Sequence, residues 1–243
     1  MRLNGQTYDR VWSLGQWCVT ALLLKKAGLR SASGPVDWNG PVPGIVNDVA
    51  LYVGHVLTRF ANFFRKENLR RVGENAAEGK IHYDDIAGGL NSRHDFGVQE
   101  PFDAAYARAR AKYDRRIARF LAQLEVPGKY LFVHCLGEGR ADRTATLAAW
   151  ARFRTRYPAS RLDLLVFETE PRAAVLRWDR PVEGVSFVTG DFYDPTRHDA
   201  VIGNERLFLS VLRKVGVRGK FRNLVWQRIH SFKRRLSRRR GRR

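Results

Sequence analysis

Apolar residues recur every three to four positions between 102 and 124, at Phe102, Tyr106, Ala109, Tyr113, Ile117, Phe120 and Leu124. That rhythm puts them on one face of a helix, which Pro127-Gly128 ends. A second face, Ile45, Val49, Tyr52, Val56, Phe60 and Phe63, predicts a helix over 45–64. A shorter helix is predicted over 17–26, with Gly28 as its stop. Residues 8–14 read as a short strand, 129–134 as a strand of buried type, and 162–167 and 185–188 as two more strands. A helical segment over about 143–157 separates the second strand from the third. Strand, helix, strand at this spacing reads as a right-handed βαβ unit. The expected fold class is therefore α/β, a largely parallel sheet of these four strands flanked by helices. Two stretches lack any rhythm. Residues 31–44 are dense in turn formers and read as a loop, and so does the polar, glycine-rich chain that runs on to Asn91-Ser-Arg-His-Asp-Phe. The acid pair Asp84-Asp85 within it is expected to be solvated.

Length and composition fit this picture. The chain has 243 residues, 44% of them hydrophobic, enough to bury one large core. No apolar signal-peptide core is expected at the N-terminus, and the run from Val19 to Leu24 is too short to span a bilayer. Two cysteines, Cys18 and Cys135, offer no disulfide framework and point to a reducing compartment. The expected address is the cytoplasm, with a peripheral position at the inner membrane as a variant. The charge is uneven. The net charge is +20, but residues 213–243 hold 14 Lys/Arg and no Asp/Glu. Removing those 14 from the 44 basic residues leaves 30 against 24 acidic ones, a net charge of +6. Residues 1–212 are thus expected to form one α/β catalytic-type domain, and 213–243 a basic amphipathic helix and disordered tail. Within the tail Val225, Ile229, Phe232 and Leu236 fall at helical spacing among cations, a pattern that suits an anionic membrane surface. Nucleic acid is a weaker candidate, held through phosphates alone, and a helix packed on the domain is the plainer reading.

The chemistry begins at Cys18. A thiol placed after a short strand and a glycine turn, at the start of a helix, meets unbonded N–H groups and the positive helix end. Those amides favour thiolate and can hold an oxyanion. Against this, a buried cysteine often packs merely as a small hydrophobe. No cysteine/histidine cluster has zinc-ligand spacing, and no cofactor is expected. The loop Gly137-Glu-Gly-Arg-Ala-Asp-Arg143 follows a strand and opens a helix, so its amides can hold a phosphate. Asp142 stands where a dinucleotide fingerprint needs its third glycine, which favours an ordinary strand-to-helix loop.

Five ordered segments carry a resemblance: Ser13-Leu-Gly-Gln-Trp-Cys18, Gly34-Pro-Val-Asp-Trp38, Phe60-Ala-Asn-Phe-Phe-Arg-Lys-Glu-Asn-Leu69, Arg93-His-Asp-Phe96 and Lys112-Tyr-Asp-Arg-Arg-Ile-Ala-Arg-Phe120. Together they resemble a bacterial family described as papain-like cysteine peptidases. The resemblance covers about the first half of the chain, with Val36 standing where the family has phenylalanine. It implies a cysteine-histidine-acid mechanism in which Cys18 is the nucleophile, His94 the base, and Asp37 or Asp95 the group that orients it. Of the six histidines, His134 is the runner-up, because ligands collect at the carboxyl ends of parallel strands. His55 is expected to pack on its helix, while His82, His198 and His230 have only loop or tail positions. Two functions follow. One is acyl transfer through Cys18, by a peptidase or amidase on an acyl or peptide substrate, or by an acyltransferase acting on a surface polysaccharide. The other is a non-catalytic binding module recruited to membrane, glycan or nucleic acid by the basic tail.

Overall fold

The structure is a computed structural model that describes residues 5–15, 18–46, 48–137, 140–194, 196 and 202–218. Its centre is a five-stranded sheet containing all four of the expected runs. β2 (Arg10–Ser13), β6 (Lys129–Cys135), β7 (Arg161–Thr169) and β9 (Val185–Gly190) lie parallel in that order, and β8 (Arg177–Asp179) closes the edge antiparallel to β9. The inner strands β6 and β7 are buried on both faces, which is why they are mostly apolar rather than alternating. Trp12, Phe132, Leu164, Val166 and Phe187 point into one layer, with α2 (Val49–Leu57), α3 (Phe102–Leu124) and α4 (Arg143–Arg156). Leu131, Val133, Leu165, Phe167 and Val188 point into the other, with α1 (Val19–Lys26) and α5 (Glu205–Leu212). The result is a helix–sheet–helix sandwich.

Three differences from the sequence reading matter. The strand expected over 8–14 is split. β1 (Thr7–Tyr8) leaves the sheet to pair with β10 (Gly216–Val217), while Asp9 bonds Lys129 through both its N–H and its carboxylate. Val215 and Val217, counted by sequence with the tail, are buried in the second core layer. Residues 219–243, and with them the amphipathic segment and His230, lie outside the described residues, as does His198.

The helix expected over 45–64 is shorter. Asp48 caps it by accepting from Leu51 N at 3.0 Å, and it stops where Arg59 and Phe60 take left-handed conformations, φ 52° and 61°. Tyr52, Val56, Phe60 and Phe63 are buried all the same, whereas Ile45 is exposed.

The polar stretch is not a loop. It forms a three-stranded antiparallel sheet, β3 (Leu69–Asn75), β4 (Lys80–Asp85) and β5 (Leu90–Gly97), in the order β3-β4-β5. Asp84 and Asp85 are correspondingly buried, not solvated. The Asp85 carboxylate replaces water with backbone amides, accepting from Phe64 N at 2.6 Å and Gly88 N at 3.0 Å. Among the described residues no helix is long and apolar enough to cross a membrane.

Candidate active site at the carboxyl rim of the sheet

The segment that leads to Cys18 is held rigidly. β2 runs in register with β6, Ser13 opposite Val133, and Leu14 N donates to Val133 O at 2.8 Å. Gly15 then turns with φ 72°, and a Cβ at that position would fall 2.0 Å from Tyr52 Cε1. Both the left-handed backbone and the close ring demand glycine. Cys18 is the N-cap of α1 and half-buried; its carbonyl receives Leu22 N at 2.8 Å, and its side chain makes no capping bond. The N–H groups of the first turn therefore have no intrahelical acceptor. Cys135 is the opposite kind of thiol. It is fully buried at the end of β6, and burial pushes it up to about 12.

His134 sits one residue before Cys135, fully buried, with its Nδ1 2.6 Å from Leu14 O. A carbonyl oxygen only accepts, so Nδ1 donates and the basic nitrogen of the neutral ring is Nε2. The ring also lies 5.4 Å from that of Tyr52. Tyr52 and His134 thus pack against the turn Leu14–Gly15, four and three residues ahead of Cys18.

His94 is placed differently. It belongs to strand β5 rather than to a loop, its side chain is 43% exposed, and its Nδ1 is 3.7 Å from Glu78 Oε2. Its ring meets Trp38 edge-on at 6.0 Å. The two expected orienting carboxylates bond elsewhere. Asp37 is buried and accepts from the Arg30 guanidinium and from Gly34 N at 2.8 Å. Asp95 accepts from Lys112 Nζ, from Tyr113 Oη at 2.6 Å and from Ser92 Oγ at 2.8 Å. Asn39 joins the second set, donating to Asn91 O at 2.8 Å and to Tyr113 Oη at 3.1 Å. This buried network fastens the 31–44 loop to β5 and α3. Burial pushes the Asp37 carboxyl up, against the pull of Arg30. At Asp95 the burial effect is outweighed by the Lys112 charge and the hydrogen bonds, which hold the carboxyl below the usual range.

The family whose description reads "Putative papain-like cysteine peptidase" matches residues 9–164, more than half of the chain. The chain belongs to this family. The matched span holds Cys18, both candidate bases, and Asp37 and Asp95 with their partners. No curated protein and no solved structure matches the chain.

Beyond that span the same rim carries a second polar centre. Glu168, fully buried near the end of β7, accepts from Arg143 at 2.7 Å, Thr189 Oγ1 at 2.9 Å and Ala141 N at 3.2 Å. Sequence reading missed Glu168 because it ends an apolar strand with no motif around it. It missed Tyr52 because that residue counted only as core. Among the described residues no group of three or more His, Cys, Asp or Glu side chains is arranged to hold a metal ion.

Proposed function

We propose that this family member is a cysteine-dependent acyl-transfer enzyme with Cys18 as nucleophile and His134 as base. The observation that carries the choice of base is the His134 Nδ1 bond to Leu14 O. It leaves Nε2 as the basic nitrogen and ties the ring to the turn that delivers Cys18. His94 lacks such a tie: its neighbours are Trp38 and Glu78.

In the reaction His134 Nε2 takes the thiol proton and the sulfur attacks the substrate carbonyl carbon, forming a C–S bond. The amides of the first turn of α1 hold the oxyanion, and the carbonyl-bound His134 ring stabilises its own imidazolium through Leu14 O. Collapse breaks the bond to the leaving amine or alkoxide, which takes the proton from His134. His134 then takes a proton from water as its oxygen attacks the thioester, the C–S bond breaks and the departing sulfur recovers the proton, giving a peptidase or amidase, in line with the family description. A hydroxyl attacking instead gives an acyltransferase.

The test is the alkylation rate of Cys18 with iodoacetamide, followed by mass spectrometry across pH. His134→Ala and His134→Asn should slow it about tenfold or more at neutral pH, by removing the base that stabilises thiolate. His94→Ala should leave it unchanged. If His94→Ala moves the profile and the His134 variants do not, the base is His94, in line with the family resemblance. If neither does, no imidazole serves the thiol, and a binding module is the better account.

A further inference from the structure

At the carboxyl ends of β7 and β9 a cavity of about 470 Å³ opens that the acyl-transfer chemistry does not use. Its walls come from four segments: the chain leading into α4 with its first residue, the chain just past β7, edge strand β8, and Thr189 of β9. Ligands of parallel α/β sheets bind outside the carboxyl ends of the strands, and this is that position. It shares a rim with Cys18, with β6 and β7 between β2 and β9, a separation of about 10–15 Å at ordinary strand spacing.

The charges in the cavity are arranged in two ends. Arg140 and Arg177 arrive from different segments and donate through Nη2 to one oxygen, Oε2 of Glu170, Arg140 at 2.7 Å. One carboxylate serves two guanidinium groups, so this end is one anion short. Among the described residues neither arginine makes another hydrogen bond, and more than half of each side chain is exposed. The other end is spent differently. Arg143 is shared between buried Glu168 and Asp179, whose side chain is 52% exposed. Asp179 therefore offers acceptor oxygens beyond those that Arg143 uses. Of the backbone amides near this end, two are already spent inside the protein. Ala145 N donates to Asp142 and Ala141 N to Glu168.

We propose that this cavity binds a phosphorylated sugar, its phosphoryl group between Arg140 and Arg177 and a sugar hydroxyl donating to Asp179. Two guanidinium groups converging from separate segments can address a tetrahedral anion with three free oxygens without sharing a single acceptor atom, as they do on Glu170. The acidic end cannot serve a second anion, but it suits a hydroxyl donor. A free sugar phosphate and a nucleoside 5′-phosphate share this chemistry.

The proposal is tested by calorimetric titration of the full chain with inorganic phosphate, glucose 6-phosphate, adenosine 5′-monophosphate and glucose. The variants are Arg140→Ala, Arg177→Ala, Asp179→Asn, Glu170→Gln and Cys18→Ala, each checked by thermal unfolding. One of the two phosphorylated compounds should bind best, which tells sugar phosphate from nucleotide, and glucose should not bind. Loss of either arginine should weaken binding about tenfold or more, as expected for a charge-assisted hydrogen bond. Glu170→Gln should tighten binding several-fold by removing the internal competitor. Asp179→Asn should weaken the phosphorylated sugar but not inorganic phosphate. Cys18→Ala should change nothing, so the site stands or falls apart from the acyl-transfer reading. Binding that survives loss of both arginines would place the anion on the basic 219–243 segment and overturn the proposal. So would weaker binding in Glu170→Gln, or equal binding of glucose.

Discussion

In the central sheet β7 buries Leu164, Leu165, Val166 and Phe167 in one run, whereas in the small sheet β5 buries Asn91, Ser92 and Asp95 beside Leu90 and Phe96. The first region is held by apolar area taken from water on both faces. The second packs against α3 with few apolar side chains of its own, and it is fastened by carboxylates that find donors inside the protein. Asp85 takes two backbone amides, and Asp95 takes a lysine, a tyrosine and a serine. A packed strand tolerates small shape changes, while a buried carboxylate fails as soon as one donor is lost. The candidate chemistry lies on the rim of the first region, and the second holds the 31–44 loop through Asn39 and Asn91.

The sharpest way to break this contrast is a cavity in the central sheet. Phe132 is fully buried, with ring centroids of Trp150 and Phe153 5.4 Å and 5.2 Å away. Phe132→Ala should cost about 3–5 kcal/mol in urea unfolding, the usual range for an aromatic core truncation. A loss no larger than that of a small-sheet variant would mean that apolar packing does not dominate there.

In the small sheet the corresponding test is electrostatic. Asp95→Asn keeps the shape but drops the charge that Lys112 and Tyr113 address, at a cost of about 2 kcal/mol at neutral pH for a hydrogen-bonded charged group. The folded Asp95 carboxyl is held below its usual range, so its contribution is present above the unfolded value of about 3.9. It is lost as pH falls through the lower folded value. Wild type and Asp95→Asn should therefore differ by a constant amount near neutral pH and converge in acid. A gap that widens on acidification would show that Asp95 is not the ionised anchor of this network.

The same contrast explains what could be read in advance. Continuous runs such as Leu164-Leu-Val-Phe167 and the three-four rhythm of residues 102–124 announce themselves, because burial on two faces or on one helix face leaves a period in the sequence. The described helix α3, Phe102–Leu124, coincides with its predicted span. β3 to β5 leave no such trace. Their inward positions include Asp84, Asn91 and Asp95, which look like loop residues until their donors on other segments are known. At the rim, the position of Cys18 after β2 was legible from Gly15 and the strand before it. The place of His134 at the end of a parallel strand was legible as well, but the contacts of the two imidazoles were not, because whether a ring touches Leu14 or Trp38 depends on strand pairings that no local pattern encodes.

The smallest effect is expected where the two regions meet solvent, at His94. Its ring is 43% exposed, touches Trp38 by an edge and faces Glu78 at 3.7 Å, a surface pair of the kind worth little in water. Truncating it to alanine removes no buried apolar group and leaves Asp37, Asn39 and Asp95 with all their partners. His94→Ala should therefore change the unfolding free energy by less than about 0.5 kcal/mol, as for other exposed positions. A base acting on Cys18 would show the same silence in unfolding, so the measurement gains force when paired with thiol reactivity in the same protein. Silence in both would leave His94 as an exposed residue of β5, with the chemistry confined to the parallel rim. Silence in unfolding with a slower thiol would instead carry the small sheet into the active site, and the division between chemical rim and supporting scaffold would fail there.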